Sequence, residues 1–546
     1  MKDQVDGLIG AGVAAAFLNS SLTVEERRAV EAGVARGRYH LLYVAPERLV
    51  LDSCLGLLRR SGVAFFAIDE AHCISQWGHD FRPEYRQLKT LRETFPDVAI
   101  HAFTATATPR VRTDIAAELA LREPEVLVGS FDRPNLVYRV RQRTDRLGQI
   151  LEALGRHRGE AGIIYCIRRA EVDQVCEALR ARGIRAVPYH AGLADSERKR
   201  YQDDFLKERA DVVVATVAFG MGIDRSDVRY VIHAGMPKSI EHYQQEAGRA
   251  GRDGLPSECL LLYSGGDFGL WRSILMAEGP PAPGALAKLG EIYDYCQGAT
   301  CRHRFLVEYF GQAYASANCG ACDICAGEVA AENDAVIIAQ KVLSCVVRLG
   351  ERFGADYVAD VLRGAETARI KGFGHDRLST YALLRDHRKA AIRNWIDQLE
   401  GQGCLARADG EYPTLALTEH GRKVMRGEAD VRLFKTVAQG PRGGAGRAAR
   451  RAERAGAPYT APDGDLFEKL RALRRAMAEE RGVPPYVIFS DASLRDMARD
   501  RPTTEAAFLR IKGVGQHKLA ELGPRFLACI RAHLAASPED PSRSPK

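Results

Sequence analysis

The dipeptide Gly-Lys occurs nowhere in the 546 residues. A phosphate-gripping P-loop needs Gly-Lys followed by Ser or Thr, because backbone N–H groups and the lysine together hold the phosphates. That device is excluded from this stretch of chain. A run of eighteen or more apolar residues is also missing, so no membrane span or membrane partner is expected. The opening Met1-Lys2-Asp3-Gln4-Val5-Asp6 has no apolar segment of the signal-peptide kind, and a cytoplasmic protein is expected. Short-period self-similarity is absent, which excludes a solenoid.

What is present is ordinary in bulk. Hydrophobic residues make up 46% and charged residues 27%, as in soluble globular chains. A chain of 546 residues is too long for one core and calls for about three to five domains. A net charge of +7 permits a polyanionic partner without requiring one. The thirteen cysteines are odd in number and unevenly spread, so a tight cluster reads as metal-binding rather than disulfide-forming. Most of the rest, such as Cys166 and Cys259, read as core residues.

Organisation follows from periodicity. Leu41–Val44, Ala64–Ile68 and Ala99–Phe103 are short apolar runs, each leading into a polar motif and a helix-like stretch. That pattern predicts an α/β unit over residues 1–131, with functional groups just past the carboxyl ends of its strands. The pattern restarts over 132–270, where Gly162–Cys166, Val212–Ala215 and Tyr230–His233 predict further strands. Residues 271–330 read as a helical segment with a cysteine cluster. Residues 331–437 read as helices closing on a hairpin, Cys404–Arg407 to Thr414–Leu417, with Asp409-Gly410 at its turn: a winged-helix pattern. A Gly-, Ala- and Arg-rich flexible linker is expected over 438–462, a small helical domain over 463–537 and a disordered tail over 538–546.

Several motifs carry chemistry. Asp69-Glu70-Ala71-His72 follows an apolar strand. Such an acidic pair can hold Mg²⁺ on a nucleotide through Asp69 and activate a water through Glu70, with His72 linking the site to its surroundings. The bland reading is a strand-end acidic turn. Thr104-Ala105-Thr106-Ala107 follows the next strand. In the second unit, Ala215–Asp224 supplies glycines that let backbone approach a phosphate or ribose. Gln245-Glu246-Ala247-Gly248-Arg249-Ala250-Gly251-Arg252 places Arg249 and Arg252 on one face if the segment is helical. Planar guanidinium groups suit a phosphate bound across a domain cleft; a solvated basic face is the alternative. Cys301, Cys319, Cys322 and Cys325 can close a tetrahedral structural Zn²⁺ site, with Cys296 a fifth candidate. A redox Cys-x-x-Cys is the weaker option.

The stretch after the acidic motif, Cys73-Ile74-Ser75-Gln76-Trp77-Gly78-His79-Asp80-Phe81-Arg82-Pro83, resembles the aromatic-rich loop of the RecQ family of DNA helicases. There Trp77, Phe81 and Arg82 could stack on or brace single-stranded bases, at about 1–3 kcal/mol per base. A buried anchoring role for Trp77 is compatible with this. The Thr104–Ala107, Ala215–Asp224 and Gln245–Arg252 segments resemble helicase motifs of the same family, which implies nucleotide contacts for Gly222, Asp224 and Gln245 and catalytic roles for Arg249 and Arg252. Cys301-Arg302-His303-Arg304 and Cys319–Cys325 resemble the family's zinc segments. Arg363-Gly364-Ala365 and Gly374-His375-Asp376 resemble its winged-helix region. Val483–Phe489, with Tyr486, and Ile511–Lys518, with Lys512 and Lys518, resemble the helicase-and-RNaseD C-terminal (HRDC) domain, an accessory nucleic-acid binder.

Residues 1–537 thus resemble a bacterial-type RecQ helicase throughout. The implied architecture is two RecA-like α/β domains (the first incomplete), a helical zinc-binding subdomain, a winged helix and a small all-α HRDC domain. The implied activity is ATP- and Mg²⁺-dependent 3′-to-5′ DNA unwinding in recombination and repair, near the nucleoid. Implied partners are single-stranded and forked DNA and repair proteins such as single-stranded DNA-binding protein. The departure lies at the front. Residues 1–6 resemble a segment that follows the P-loop in the family, so roughly 50 residues of the first domain are expected to be missing, through an internal start or a truncation. The chain as it stands is expected to hydrolyse ATP poorly and to expose apolar sheet edges. A non-catalytic DNA-binding protein on a helicase scaffold is the alternative, and an RNA helicase a weaker third.

Overall fold

The computed structural model describes residues 2–407, 414–436 and 464–536, except 11, 21, 79, 218, 220–224, 278–280, 282, 283 and 299. The predicted hairpin turn at Asp409-Gly410, the linker over 438–462 and the tail over 538–546 lie outside the described residues, as do Gly222 and Asp224.

The first α/β lobe holds two separate parallel pairs. β1 (Ala15–Leu18) pairs with β2 (Leu41–Val44), and β3 (Phe65–Ile68) pairs with β4 (Ala99–Ala102). Alternation decides which side each residue faces. Phe66, Ile68 and Ile100 enter a core with Leu49, Leu88, Leu91, Val111 and Ile115. Phe65 and, past β4, Phe103 stay 51% and 56% exposed. Parallel strands are normally covered on both faces, and here one face carries the exposed Phe65 ring. The helix Val24–Ala35 starts at a capping box, where Glu26 N donates to Thr23 Oγ1 at 3.2 Å and Thr23 N to Glu26 Oε2 at 2.8 Å.

The second lobe is a six-stranded parallel sheet in the order β5 (Leu136–Gln142), β10 (Ser257–Tyr263), β9 (Val228–His233), β6 (Ala161–Tyr165), β8 (Val212–Ala215), β7 (Ala186–Tyr189). Cores lie on both faces: Ile163, Val213, Val231 and Leu261 on one, Ile164, Val214, Ile232 and Leu260 on the other. Gly162 leaves room for the Tyr230 ring packed against it; a Cβ there would overlap the ring.

The cysteine-bearing segment is not an independent body. Tyr293, Tyr295, Leu306 and Phe310 share one core with Tyr138 and Tyr243 of the second lobe. Its loop also zips onto β5: Tyr138 N donates to Ala321 O at 3.1 Å and Asp323 N to Tyr138 O at 3.0 Å. An otherwise open sheet edge is thereby covered.

The winged-helix region packs Ala335–Arg348, Ala355–Arg363 and Lys389–Gly401 around Trp395, with an antiparallel hairpin of β12 (Leu405–Arg407) and β13 (Leu415–Leu417). β11 (Val329–Ala331) pairs antiparallel with β14 (Phe434–Thr436), tying the region's start to its end. The terminal domain packs helices Gly464–Arg481, Asp491–Asp500 and Gln516–Ala536 around Phe489, Phe508 and Phe526. Among the described residues, no helix is long and apolar enough to cross a membrane.

Candidate nucleotide cleft and nucleic-acid interface

β3 and β4 both deliver polar motifs past their carboxyl ends. Asp69 is exposed, and its Oδ1 accepts from Glu70 N at 2.9 Å. Glu70 sits at φ 49°, ψ 40°, in the left-handed region. A non-glycine residue held there costs about 1–3 kcal/mol and persists where surrounding structure enforces it. Burial raises the Glu70 carboxyl above its ordinary value and Asp69 adds to that, while Arg249 and Arg82 oppose it. A carboxylate made more basic in this way suits proton abstraction.

Arg249 lies on the second lobe, so its influence on Glu70 is felt across the interlobe gap. A run of polar contacts crosses the same gap, although Glu70 Oε2 itself has no hydrogen-bond partner among the described residues. Glu70 Oε2 lies 3.4 Å from His72 Nδ1, and that nitrogen is 3.0 Å from Thr104 Oγ1. Thr106 N donates to Thr104 Oγ1 at 3.3 Å, and Gln245 Nε2 of the second lobe donates to Thr106 Oγ1 at 3.3 Å. Asp69, Glu70, His72, Gln245 and Arg249 therefore converge.

Arg252 is brought to the same region, because it and Arg249 both act electrostatically on the buried Tyr165 hydroxyl. Burial raises that hydroxyl's pKa and the two arginines oppose the rise. The condition for a shared helical face is not met. The helix Ile240–Ala247 ends before them. Arg133 donates to the carbonyls of Gly248, Ala250 and Gly251, and Asn135 Nδ2 to Gly251 O at 2.9 Å, so these carbonyls are committed outside a helix. Gly251 has φ 57°, and a Cβ there would overlap Asn135. The arginines instead occupy successive turns.

The aromatic loop is anchored on two sides. Arg110 stacks over the Trp77 ring at 3.4 Å from its centroid. Lys288 Nζ, from the helix Ala285–Gln297, donates to Trp77 O at 2.7 Å and lies 2.8 Å from Glu241 Oε1. Glu241 is on the helix that carries Gln245. Burial would raise its carboxyl, but Lys288 outweighs this and lowers it. Phe81 lies under Arg86 at 5.2 Å, and Arg82 pairs with Asp80 at 2.7 Å. Cys73, just upstream, is buried, which pushes its thiol up to about 12. Trp77 is half-buried and packs against the first lobe's core, as an anchor would. No motif marked Lys288; its bond to Trp77 spans 211 positions of sequence.

Sγ atoms of Cys301, Cys319, Cys322 and Cys325 lie within 4.8 Å of one another. Four thiolates at tetrahedral Zn–S distances of about 2.3 Å would stand about 3.8 Å apart, so the donor set fits Zn²⁺. Arg302 and Asp323 form a buried pair at 2.9 Å beside it, and Val140 N donates to Asp323 Oδ2 at 2.9 Å. His303 Nδ1 meets Asp132 Oδ1 at 2.7 Å. Cys296 is buried and outside this cluster.

In the terminal domain Lys512 is exposed and Tyr486 half-buried. Lys518 is turned inward instead of toward a phosphate: its Nζ donates to Val487 O and Ile488 O at 3.0 and 2.9 Å and lies over the Phe489 ring at 5.2 Å.

Comparison with known proteins places these pieces. Family models match as DEAD/DEAH box helicase over residues 4–115, helicase conserved C-terminal domain over 142–254, RecQ zinc-binding over 266–326, RQC domain over 330–442 and HRDC domain over 463–530. An "ATP-dependent DNA helicase RecQ" of Haemophilus influenzae is 42% identical over 541 residues, covering 98% of this chain and 86% of that protein. The Bacillus subtilis protein of the same name is 41% identical over 536 residues, covering 98% and 87%. The "RecQ-like DNA helicase blm-1" of Caenorhabditis elegans is 35% identical over 575 residues, covering 96% of this chain and 58% of that protein.

Proposed function

Because the chain belongs to the RecQ family of ATP-dependent DNA helicases, we propose that it works as an ATP-driven, 3′-to-5′ DNA helicase on forked and single-stranded DNA, in recombination and repair. The observation that carries this reading is the juxtaposition of Glu70 on one lobe with Arg249 on the other, joined by the Gln245–Thr106 bond at 3.3 Å.

Each residue then has a task. Asp69, exposed beside the cleft, holds the Mg²⁺ that accompanies the nucleotide. Glu70 accepts the proton of the attacking water. Arg249 and Arg252 offset charge developing on the transferred phosphoryl group. Gly222 and Asp224 contact the nucleotide. Bound ATP supplies the energy that closes the lobes; Gln245 and Thr106 register closure. Trp77, Phe81 and Arg82 meet the DNA strand, and Lys288 ties their loop to the arginine-bearing segment. Tyr486 and Lys512 add contacts from the HRDC domain, while Lys518 acts only by holding the carbonyls around Tyr486. The four cysteines hold a structural Zn²⁺. The working place is the cytoplasm, at the nucleoid, beside proteins such as single-stranded DNA-binding protein.

The Gly-Lys-Ser/Thr grip is not among these 546 residues. The decisive experiment compares this chain with a chimera carrying a P-loop segment from a RecQ relative, both assayed for DNA-stimulated ATP hydrolysis and fork unwinding. The chimera is expected to hydrolyse and unwind, and Arg249→Ala to abolish both. A chimera that binds forks tightly yet never hydrolyses ATP would sink the motor reading in favour of a DNA-binding scaffold.

A further inference from the structure

The HRDC domain meets the second lobe far from the cleft. The lobe residues in this contact precede strands: Glu160 before β6, Glu208 before β8, Asp227 before β9. These mark the amino ends of the sheet, whereas the nucleotide motifs lie past the carboxyl ends. Glu208 is central. It has φ 57° and is only 6% exposed. Its partners come from the helix Gly464–Arg481. Arg474 Nη2 donates to Oε1 at 2.6 Å, Arg475 Nε to Oε2 at 2.6 Å, and Arg471 Nε lies 3.7 Å from Oε2.

Neighbouring charges are already matched. Arg225 pairs with Asp227 at 2.7 Å, Arg229 with Asp253 at 2.7 Å, and Arg495 stands 3.7 Å from Glu160. Arg474 is also held inside its own domain by Asp491 at 2.7 Å and Phe489 O at 3.0 Å. Three guanidiniums thus converge on one carboxylate, and the Nε atoms of Arg471 and Arg474 have no hydrogen-bond partner among the described residues. At 6% exposure in the docked state, Glu208 relies on these guanidiniums in place of water.

We propose that Glu208 latches the HRDC domain to the back of the second lobe, and that the single-stranded DNA backbone competes with Glu208 for Arg471 and Arg475. A carboxylate and a phosphodiester present the same fork of two oxygens to a guanidinium. A cavity of about 390 Å³ beside the contact, lined by Arg158, Glu160, Arg229, Phe467, Arg471 and Arg495, leaves the ion cluster incompletely sealed. Docked, the two arginines are occupied; released, they join the nucleic-acid surface while Arg474 stays with Asp491. The competition rests on the DNA-binding reading above. The latch does not.

The test uses the full chain, with hydrogen exchange for the latch and a fluorescein-labelled mixed-sequence oligonucleotide for the competition. Glu208→Gly removes the carboxylate and accepts φ 57° without strain; Arg475→Ala leaves that backbone untouched. In both variants the turn at 207–211 and the helix Gly464–Arg481 are expected to exchange faster together. Glu208→Gly is expected to bind the oligonucleotide more tightly, with the salt slope of log K steeper by about one to two units. Added oligonucleotide should likewise speed exchange at 207–211 in the unmodified chain, since coupling is reciprocal. Unchanged exchange in Glu208→Gly overturns the latch. Release with unchanged affinity and slope overturns the competition. An unmodified chain that binds no oligonucleotide overturns the DNA reading and the competition together, and exchange still decides the latch.

Discussion

The second lobe buries six parallel strands under side chains on both faces, while the first lobe holds its strands two by two and leaves Phe65 and Phe103 to solvent. Both lobes follow one α/β design and both carry half of the cleft. The difference lies in what supports each half. Arg249 and Arg252 rest on a double-faced core extended by the zinc segment, whereas Asp69 and Glu70 rest on a single-faced core and a strained backbone at φ 49°. The acidic half is therefore the softer one.

The largest blow to this contrast comes from the metal. Zinc binding to small structural sites is worth apparent values of about 10–16 kcal/mol, and that energy is folding energy. Chelation, or Cys322→Ser, is expected to unfold the 301–325 segment and, through the shared core, to lower the unfolding midpoint of the second lobe. Hydrogen exchange in β3 and β4 is expected to stay unchanged. Parallel loss in both lobes would mean they are one cooperative unit.

Matched substitutions sharpen the contrast next. Ile164→Ala in β6, fully buried, is expected to cost about 2–5 kcal/mol in chemical denaturation. Phe65→Thr in β3, half exposed, is expected to stay within about 0.5 kcal/mol and to reduce binding of a hydrophobic dye.

Two titrations separate the lobes more finely. Burial alone would lower the pKa of His157, but hydrogen bonds to Glu160 and Glu258 outweigh this and raise it above 6.5. Its contribution is complete below that unfolded value and is lost as pH rises through the folded one. Second-lobe stability should therefore fall across this window, and His157→Gln should flatten the fall. Glu70 shifts upward too, chiefly by burial, but it is a carboxylate, so at neutral pH its charge works against the fold. Glu70→Gln is expected to stabilise the first lobe at neutral pH, with the gain fading as pH falls through the raised folded value and gone below 4.5, its ordinary value. Thermal unfolding followed at several pH values reads both.

Much of this was legible in the sequence, in uneven measure. Val212–Ala215 was read to the residue, because a continuous apolar run bounded by polar residues has few other homes in an α/β lobe. β7 was missed because Pro188 lies inside it, and it proves to be an edge strand, where proline is tolerated. β5 alternates like a half-exposed strand, yet the loop carrying Ala321 and Asp323 covers its edge. Spacing marked the cysteine cluster, and the family resemblance chose Cys301 over Cys296 for it; Asp69 and Glu70 stood out only together with the RecQ-like stretch that follows them. The turns holding Arg249 and Arg252 were not legible, since Arg133 and Asn135 enforce them from more than 110 positions away. Lys288 and Glu208 were invisible for the same reason. Their meaning comes from what folding sets opposite them.

The Gln245–Thr106 bond carries a mechanical consequence. At 3.3 Å it is already near the limit of a hydrogen bond. Parting the lobes by about 1 Å would sever it before the cleft had visibly opened. One amide and one hydroxyl thus make a contact that exists only with the jaws shut.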